Sequence, residues 1–216
     1  MLQYCPCHQS HQYYQFHPFR PLNPSPGTVC REDIAHALAM KCRWTGHCSQ
    51  FLSIAQHSVL VSCLAELLFV SERSGGVGPS DAECRFVGAL GLLHDAAEAY
   101  LPDVSRPIKR AAGFLAGAGW VSFETAETKV LSTILDVFGL GMDLETIVPG
   151  IGSYVKRADD LILAREADLF MGGREGWVWA PDGPVPEFPI SDLSPSAAKA
   201  LFQTRWDEVL PVVGRP

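Results

Sequence analysis

The sequence lacks the features of several large protein classes. Its seven cysteines are an odd number without regular spacing, so a disulfide framework is not indicated. The 17 basic residues are outnumbered by 24 acidic ones, and the formal net charge of -7 argues against broad contact with nucleic acid. No glycine-rich phosphate loop of the Walker or dinucleotide type occurs. A phosphate-bearing ligand would therefore need a local basic pocket.

Long apolar runs are also missing, since polar residues interrupt every stretch that approaches the roughly 20 residues of a membrane span. The first residues show no positively charged start followed by an apolar segment. The irregular cysteine set fits reduced thiols. These absences predict a soluble, cytoplasmic protein without membrane contact.

Residues 1–30 are predicted to form an irregular N-terminal arm. They are rich in aromatic residues, proline, glutamine and histidine, and they end in a proline-rich string that resists both helix and strand. Four side chains of the arm have the chemistry of a zinc knuckle: Cys5, Cys7, His8 and His11. They lack a second ligand pair at finger spacing, which favours an unstructured tail.

Helical periodicity dominates the rest of the chain. The 216 residues are enough for one sizeable core, and residues 31–171 are predicted to be one all-α domain. Residues 172–216 are predicted to be a loop and a C-terminal helix that packs on the same domain. No run has the alternation of a strand, and no internal repeat occurs. The helices are predicted near residues 31–42, 54–71, 81–101, 130–139, 151–171 and 195–210.

A set of histidines and carboxylates on the predicted helices is the clearest functional signal. His94 and Asp95 are adjacent, His57 lies on an earlier helix and Asp159 on a later one. Two imidazoles and two carboxylates are ligands that borderline divalent metals accept at hydrolytic sites. A lone histidine such as His57 is more often a core residue, but a shared cation would satisfy all the carboxylates that lie among apolar residues. The structural alternative to a metal is that these carboxylates form ion pairs with Arg106, Arg157 or Arg165.

Two further carboxylates are candidates for proton transfer beside such a metal. Glu98 lies four residues after His94 and shares its predicted helix face, so it can reach water held by the ion. Asp103 follows the predicted end of that helix, where the chain turns back over the same mouth. The metal would acidify its water, and these two carboxylates would move the protons.

Basic and aromatic residues close to this set could hold a phosphorylated substrate. Arg43 and Trp44 open the loop before the His57 helix, and Lys109 follows the Asp103 turn. A guanidinium and an ammonium suit phosphate oxygens, and an indole suits a base or a sugar. Core packing is an equally good interpretation of Trp44, and the pair Trp177 and Trp179 is predicted to cover a core edge.

The order of these residues along the chain resembles the HD-domain phosphohydrolases, specifically the 5'-deoxynucleotidase branch. The spacing His-Asp-x-x-Glu-x-x-x-x-Asp is far more specific than a His-Asp pair alone. A departure occurs at Gln56, where these deoxynucleotidases have a glutamate. The matching segments are Arg43-Trp44, Ala55-Gln56-His57-Ser58, His94-Asp95-Ala96-Ala97-Glu98 with Asp103, Pro107 and Lys109, and Lys156-Arg157-Ala158-Asp159.

The resemblance implies an HD-domain helical bundle with one bound divalent metal, such as cobalt, manganese or zinc. The metal ligands would be the two histidines and two aspartates named above. By the same resemblance Glu98 and Asp103 assist the attacking water, and the nucleotide is held by Arg43, Trp44 and Lys109. Such enzymes commonly form homodimers.

The expected activity is release of phosphate from deoxynucleoside monophosphates. Two alternatives within the enzymes are removal of triphosphate from a deoxynucleoside triphosphate of the dATP type and hydrolysis of a signalling nucleotide. A third alternative is a helical module that binds a nucleotide without catalysis. The presence of Glu98 beside all four metal ligands argues against that module, because a binder has no need of an acid-base group.

Overall fold

Helices make up most of the computed structural model, which describes residues 3–4, 16–17, 19–73, 78–117, 119–141, 150–177 and 185–210. Six helices in these ranges have ten or more residues, so the predicted helical fold class is confirmed in its coarse form. The proposed zinc knuckle and Trp179 lie outside the described residues. The helices are α1 (Arg31–Met40), α2 (Ile54–Glu72), α3 (Asp81–Leu93), the short α4 (Arg106–Lys109), α5 (Phe123–Val137), α6 (Ile151–Phe170) and α7 (Pro195–Val209).

The centre of the fold is α2, which packs against α1, α3, α6 and α7. Ten of its residues are buried, and Phe69 is fully enclosed. The C-terminal helix α7 lies across α1, α2 and α3, with Phe202 and Trp206 in the common core. The burial of α2 from several sides explains its weak amphipathic pattern, since a helix that is apolar all round belongs inside a core.

The apolar composition of α2 departs from the expectation that polar residues interrupt every long apolar run. By length and composition Ile54–Glu72 could cross a membrane, with a mean hydropathy of 1.6 over its most apolar window. However, 56% of that window is buried inside the protein, and a core helix passes the same test. The sequence expectation was wrong here because the few polar residues of the helix, among them Gln56, His57 and Glu66, do not offset its many aliphatic residues.

Side-chain caps fix where the site-bearing helices begin. Ser53 Oγ accepts a hydrogen bond from the backbone N–H of Gln56, which starts α2 and places His57 in its first turn. Ser80 and Glu83 form a reciprocal capping box at the start of α3. These two caps set the positions at which α2 and α3 present their histidines.

Close packing of α3 on α2 depends on a glycine. A Cβ added at Gly91 would lie 2.8 Å from the Cα of Ser62 on α2, closer than real side chains approach. Gly91 therefore allows the two backbones to meet one turn before His94.

The third predicted helix ends earlier than the sequence indicated. The prediction ran from residue 81 to residue 101, but α3 ends at Leu93 and is followed by a 3-10 turn over Ala96–Ala99. Asp95 lies between them, with φ -101° and ψ 13°. His94 and Asp95 are thus not two residues of one straight helix, and the change of path allows both side chains to face one point.

Two pairs of short strands also contradict the prediction that the chain has none. The strands β3 (Gly113–Ala116) and β4 (Gly119–Ser122) pair antiparallel, with Leu115 opposite Trp120. In the arm, β1 (Gln3–Tyr4) pairs with β2 (Phe16–His17). Strands of two to four residues are too short to show an alternating pattern in the sequence.

Candidate metal centre and adjoining cleft

Side chains from three parts of the fold converge beside the first turn of α2. The Nε2 atom of His57 lies 3.3 Å from Nε2 of His94 and 3.3 Å from Oδ1 of Asp159. His94 extends from the end of α3, and Asp159 lies on α6. Oδ2 of Asp95 adjoins both imidazoles, at 3.2 Å from His94 Nε2 and 3.8 Å from His57 Nε2.

A hydrogen bond on the far side of each ring fixes its orientation and favours a proton on Nδ1. His94 Nδ1 lies 2.8 Å from the carbonyl oxygen of Gly91, and a carbonyl can only accept, so Nδ1 carries the proton. His57 Nδ1 lies 2.7 Å from Oε1 of Glu166, and an ionised carboxylate likewise only accepts. Both rings can therefore turn an unprotonated Nε2 toward the centre of the cluster, as metal-binding histidines do.

The donor set fits a divalent metal ion. Bonds of about 2.0 to 2.2 Å place neighbouring ligand atoms roughly 2.8 to 3.6 Å apart in octahedral or tetrahedral sites. The distances in the cluster run from 3.2 Å to 3.9 Å, the longest being that between His94 Nε2 and Asp159 Oδ1. Donor atoms of His57, His94 and Asp159 all lie within 4.8 Å of one another. These three residues could hold a metal ion, with Asp95 beside them. Imidazole and carboxylate donors suit several transition metals and do not choose among them.

Electrostatics favour a cation at this point. Burial opposes a charge on His94, but Asp95 and Asp159 outweigh it and raise the pKa of His94 to about 9. Burial would raise the pKa of Asp159, but its hydrogen bond to His57 and the charges of the two imidazoles lower it to about 2. The pKa of Asp95 is also well below its ordinary value, because His94, His57 and Arg43 outweigh its burial. Both aspartates thus stay ionised and attract positive charge.

Behind the cluster lies a buried ion pair that the sequence analysis missed. Arg43 Nε donates to Oε2 of Glu166 over 2.8 Å, and Arg43 Nη1 lies 3.5 Å from Oδ2 of Asp95. Glu166 has no solvent exposure. Burial alone would raise its pKa, but Arg43 and His57 hold the pKa below its ordinary value. A signal was available in the sequence, because Glu166 follows Asp159 by seven residues and so lies on the same face of α6.

The arginine pairs considered as the structural alternative do not form for the described side chains. Arg157 pairs with Glu72, and Arg165 donates to the backbone carbonyl of Phe188. The side chain of Arg106 lies outside the described part of the chain. The arginine that does approach Asp95 is Arg43, which had been assigned to the substrate.

A cleft of about 470 Å³ opens in front of the cluster. Asp95 and Asp159 lie in its wall, so groups in the cleft can reach the candidate metal position. The cleft brings together predicted catalytic and substrate-binding residues that are far apart in the sequence. Its lining includes Arg43, Trp44, Asp95, Glu98, Asp103, Lys109 and Asp159.

Glu98 and Asp103 both line this cleft. Glu98 lies in the 3-10 turn after α3, and not on a continuous helix with His94 as the sequence predicted. Glu98 is only 7% exposed, and its Oε2 has no hydrogen-bond partner among the described residues. Burial, together with the charges of Asp95 and Asp103, raises the pKa of Glu98 well above its ordinary value. Burial also raises the pKa of Asp103. A carboxyl group with a raised pKa holds a proton more readily than an exposed carboxylate does.

The predicted substrate residues line the same cleft, and each has contacts within the protein. Trp44 lies in a left-handed turn, with φ 58°, and its ring is 5.5 Å from that of Trp177. Lys109 pairs with Glu127 over 2.7 Å. Non-glycine residues with positive φ are rare and cluster at functional sites. The two neighbours Trp44 and Thr45 share this conformation.

Lys41 is another residue that the sequence analysis did not single out. Its ammonium donates to the backbone carbonyls of Glu98 and Leu101, the latter over 2.8 Å. Burial lowers the pKa of Lys41, although Glu98 and Asp103 act in the opposite direction. Lys41, at the end of α1, thus binds the 3-10 turn on which Glu98 lies and holds that turn against α1.

A second cavity, of about 560 Å³, reaches the cluster from another direction. His94 and Asp159 are part of its wall, and most of the remaining lining is aliphatic. The aliphatic side chains are Leu90, Leu93, Leu131, Leu135, Ile151 and Val155. The candidate metal position therefore adjoins a charged cleft and an apolar cavity.

Fold and site together define a mostly helical protein with a histidine-aspartate cluster beside a charged cleft. Two bacterial proteins are similar to this chain. The chain is 31% identical over 179 residues to the uncharacterized protein YfdR of Escherichia coli K12, covering 82% of each protein. It is 33% identical over 156 residues to the uncharacterized protein RCAP_rcc00048 of Rhodobacter capsulatus, covering 71% of this chain and 68% of that protein. The chain therefore belongs to the same family as YfdR. No protein-family profile matches it.

Proposed function

We propose that this chain is a metal-dependent phosphohydrolase of the HD-domain superfamily that acts on deoxynucleotides. The observation that carries the proposal is the convergence of His57, His94, Asp95 and Asp159 at one point, with the buried carboxyl of Glu98 in the adjoining cleft. Metal ligands and a proton-carrying group at the same opening are the components of a hydrolytic site.

Each group of the cleft has a chemical task in this proposal. A bound divalent ion would polarise a phosphate oxygen and lower the pKa of a water molecule. Glu98 takes the proton of the attacking water, and Asp103 returns a proton to the leaving oxygen. Burial raises the pKa of both carboxyls, that of Glu98 well above its ordinary value, so both hold a proton more readily than an exposed carboxylate does.

The basic side chains of the cleft favour an anionic substrate. Arg43 and Lys109 are the cationic groups in its lining, and Trp44 offers an indole surface beside them. A phosphate binds to guanidinium and ammonium groups, while a base or a deoxyribose packs against an aromatic ring. A deoxynucleoside monophosphate combines these parts, so we propose 5'-deoxynucleotidase activity as the reaction.

A nucleotide panel tests this function. The purified protein, loaded with cobalt, manganese or zinc, is incubated with deoxynucleoside mono- and triphosphates, ribonucleotides and guanosine tetraphosphate. We expect inorganic phosphate from deoxynucleoside monophosphates. Triphosphate or pyrophosphate release from the other substrates would instead identify a triphosphohydrolase or a signalling-nucleotide hydrolase.

Binding without turnover is the result that would contradict an enzymatic role. If nucleotides bind to the metal-loaded protein and none is hydrolysed, the chain is a nucleotide-binding module. We further propose, as the sequence resemblance implies, that the enzyme is a cytoplasmic homodimer. Sedimentation of the purified protein tests the oligomeric state.

A further inference from the structure

Glu166 is a fully buried carboxylate whose two oxygens contact two different parts of the site. Oε1 accepts from His57 Nδ1 over 2.7 Å, and Oε2 accepts from Arg43 Nε over 2.8 Å. We propose that Glu166 is a positioning residue that fixes a metal ligand and a substrate-binding arginine at the same time. This inference rests on the proposed function, because it assumes that the cluster holds a divalent ion.

The first effect of Glu166 is on His57. Its carboxylate holds the proton on Nδ1, so Nε2 is left without a proton on the side of His94 and Asp159. The bond also fixes the orientation of the ring, which is itself fully buried. Groups that hold metal-binding histidines in this manner typically change metal affinity by about 10 to 100-fold when they are removed.

The second effect is on Arg43. Glu166 binds the Nε side of the guanidinium, and Asp95 lies 3.5 Å from Nη1. Only 11% of the arginine side chain is exposed, and it lies in the wall of the cleft. Because Glu166 occupies the Nε side, an anion in the cleft can bind only the terminal nitrogens of the guanidinium.

Charge balance links the two effects. Two carboxylates, those of Glu166 and Asp95, contact the guanidinium of Arg43, and a third, that of Asp159, contacts His57. With neutral imidazoles this group has two negative charges in excess, which a divalent cation neutralises. Loss of the charge of Glu166 leaves one, and the cluster then attracts a divalent ion less strongly.

The variant Glu166→Gln separates the two effects. Its side-chain oxygen can still accept from His57 Nδ1, but its NH₂ group would face the N–H of Arg43, and two donors cannot bond. Glu166→Ala removes both contacts. Asp168→Asn is a matched control, since Asp168 lies two residues further along α6 and pairs with Arg174 outside the cluster.

Cobalt(II) chloride alone is the probe, and its affinity is measured by calorimetry and by the visible spectrum of the bound ion. We expect one ion per chain in the natural protein and in Asp168→Asn. The Kd should rise about 10 to 100-fold in Glu166→Ala, which removes the bond to His57, and less in Glu166→Gln, which keeps that bond and loses only the charge. We also expect Glu166→Gln to raise KM for the nucleotide more than it lowers kcat, because Arg43 is displaced.

The outcomes distinguish this inference from the proposed function. If the natural protein binds cobalt and both Glu166 variants bind it equally well, the positioning role is wrong and the metal site stands. If the natural protein binds no cobalt, the proposed function fails as well. Should neither variant fold, long-range proton-nitrogen NMR of the natural protein gives the tautomer of His57. A proton on Nδ1 supports the inference, and a proton on Nε2 overturns it.

Discussion

Glu98 differs from an ordinary surface carboxylate in both burial and partners. Its backbone carbonyl is held by Lys41, while its Oε2 atom has no partner within the described chain. A buried carboxyl without a hydrogen-bond partner costs free energy. Such a group is retained where it performs chemistry, which is the role we assign to it.

Substitution of Glu98 should therefore separate metal binding from turnover. We expect Glu98→Gln to keep its metal and to lower kcat by about 10² to 10⁴-fold, the usual loss when a proton-transfer group is removed. Asp95→Ala should lose metal and activity together, because Asp95 adjoins both imidazoles. Metal content by mass spectrometry and phosphate release are the two measurements. Unchanged turnover in Glu98→Gln would show that the proton-transfer role is wrong.

Residue types and spacing were enough to predict the candidate metal cluster. Contacts between distant residues could not be predicted in this way. The His-Asp pair, His57 and Asp159 could be predicted because metal chemistry restricts which side chains serve as ligands. Glu166 was missed because nothing local indicates that its carboxylate pairs with Arg43. That contact joins α6 to the loop before α2, and it exists only in the folded chain.

At the scale of elements, the approach of α3 to α2 determines where His94 lies relative to His57. Gly91 contacts the backbone of Ser62, whereas a Cβ at Gly88 would meet the flexible side chains of Glu66 and Arg205. Backbone cannot move aside as a side chain can. Gly91 thus sets the distance between α3 and α2, whereas Gly88 is expected to tolerate a larger side chain.

The pair of variants Gly91→Ala and Gly88→Ala tests this difference. We expect Gly91→Ala to lower the free energy of unfolding by about 1 to 3 kcal/mol, as overpacking does, and to weaken cobalt binding by moving His94. Gly88→Ala should have a smaller effect on the free energy of unfolding and on cobalt binding. Urea denaturation measures the first quantity, and calorimetry measures the second. Equal effects of the two substitutions would contradict the proposed role of Gly91.

The capping box of α3 predicts a dependence of stability on pH. Hydrogen bonds from Ser80 lower the pKa of Glu83, so the folded state favours the ionised carboxylate. This contribution is present above the unfolded pKa of about 4.3 and is lost as pH falls through the lower folded value.

Comparison with Glu83→Gln isolates that contribution, because glutamine serves in a capping box without titrating. We expect the unfolding free energy of the natural protein, relative to that of the variant, to decrease between about pH 5 and pH 3. Urea denaturation over this range measures the difference. A difference that stays constant with pH would mean that the Glu83 carboxylate does not stabilise the helix.

The boundaries of elements were the part of the fold that the sequence described least well. Apolar spacing continues from α3 through Ala96 and Ala97, so periodicity cannot separate an α-helix from the 3-10 turn that follows it. The hairpin of β3 and β4 has Leu115 and Trp120 exposed, so burial leaves no pattern there either. The prediction of residues 151–171 for α6 was correct to within one residue. The prediction of residues 130–139 for α5 was wrong at its start, because the helix begins seven residues earlier, at Phe123.

For the whole molecule, the cluster joins α2, α3 and α6, and a metal ion would hold them together. We expect cobalt at 100 times its Kd to raise the unfolding free energy by about 2.7 kcal/mol, seen as a higher Tm. A chelator should reverse the shift, and Asp159→Asn should not show it. An equal shift in Asp159→Asn would place the ion elsewhere.

The central position of α2 has a consequence for the newly made chain. Its apolar surface is covered partly by α3, which follows it immediately in the chain, and partly by α6 and α7. These last two helices leave the ribosome much later. Until then, an unusually apolar helix faces water and attracts chaperones or other chains. Asp159 also arrives with α6, so the donor set is incomplete for most of synthesis. Capture of an ion would therefore mark the last stage of folding rather than its beginning.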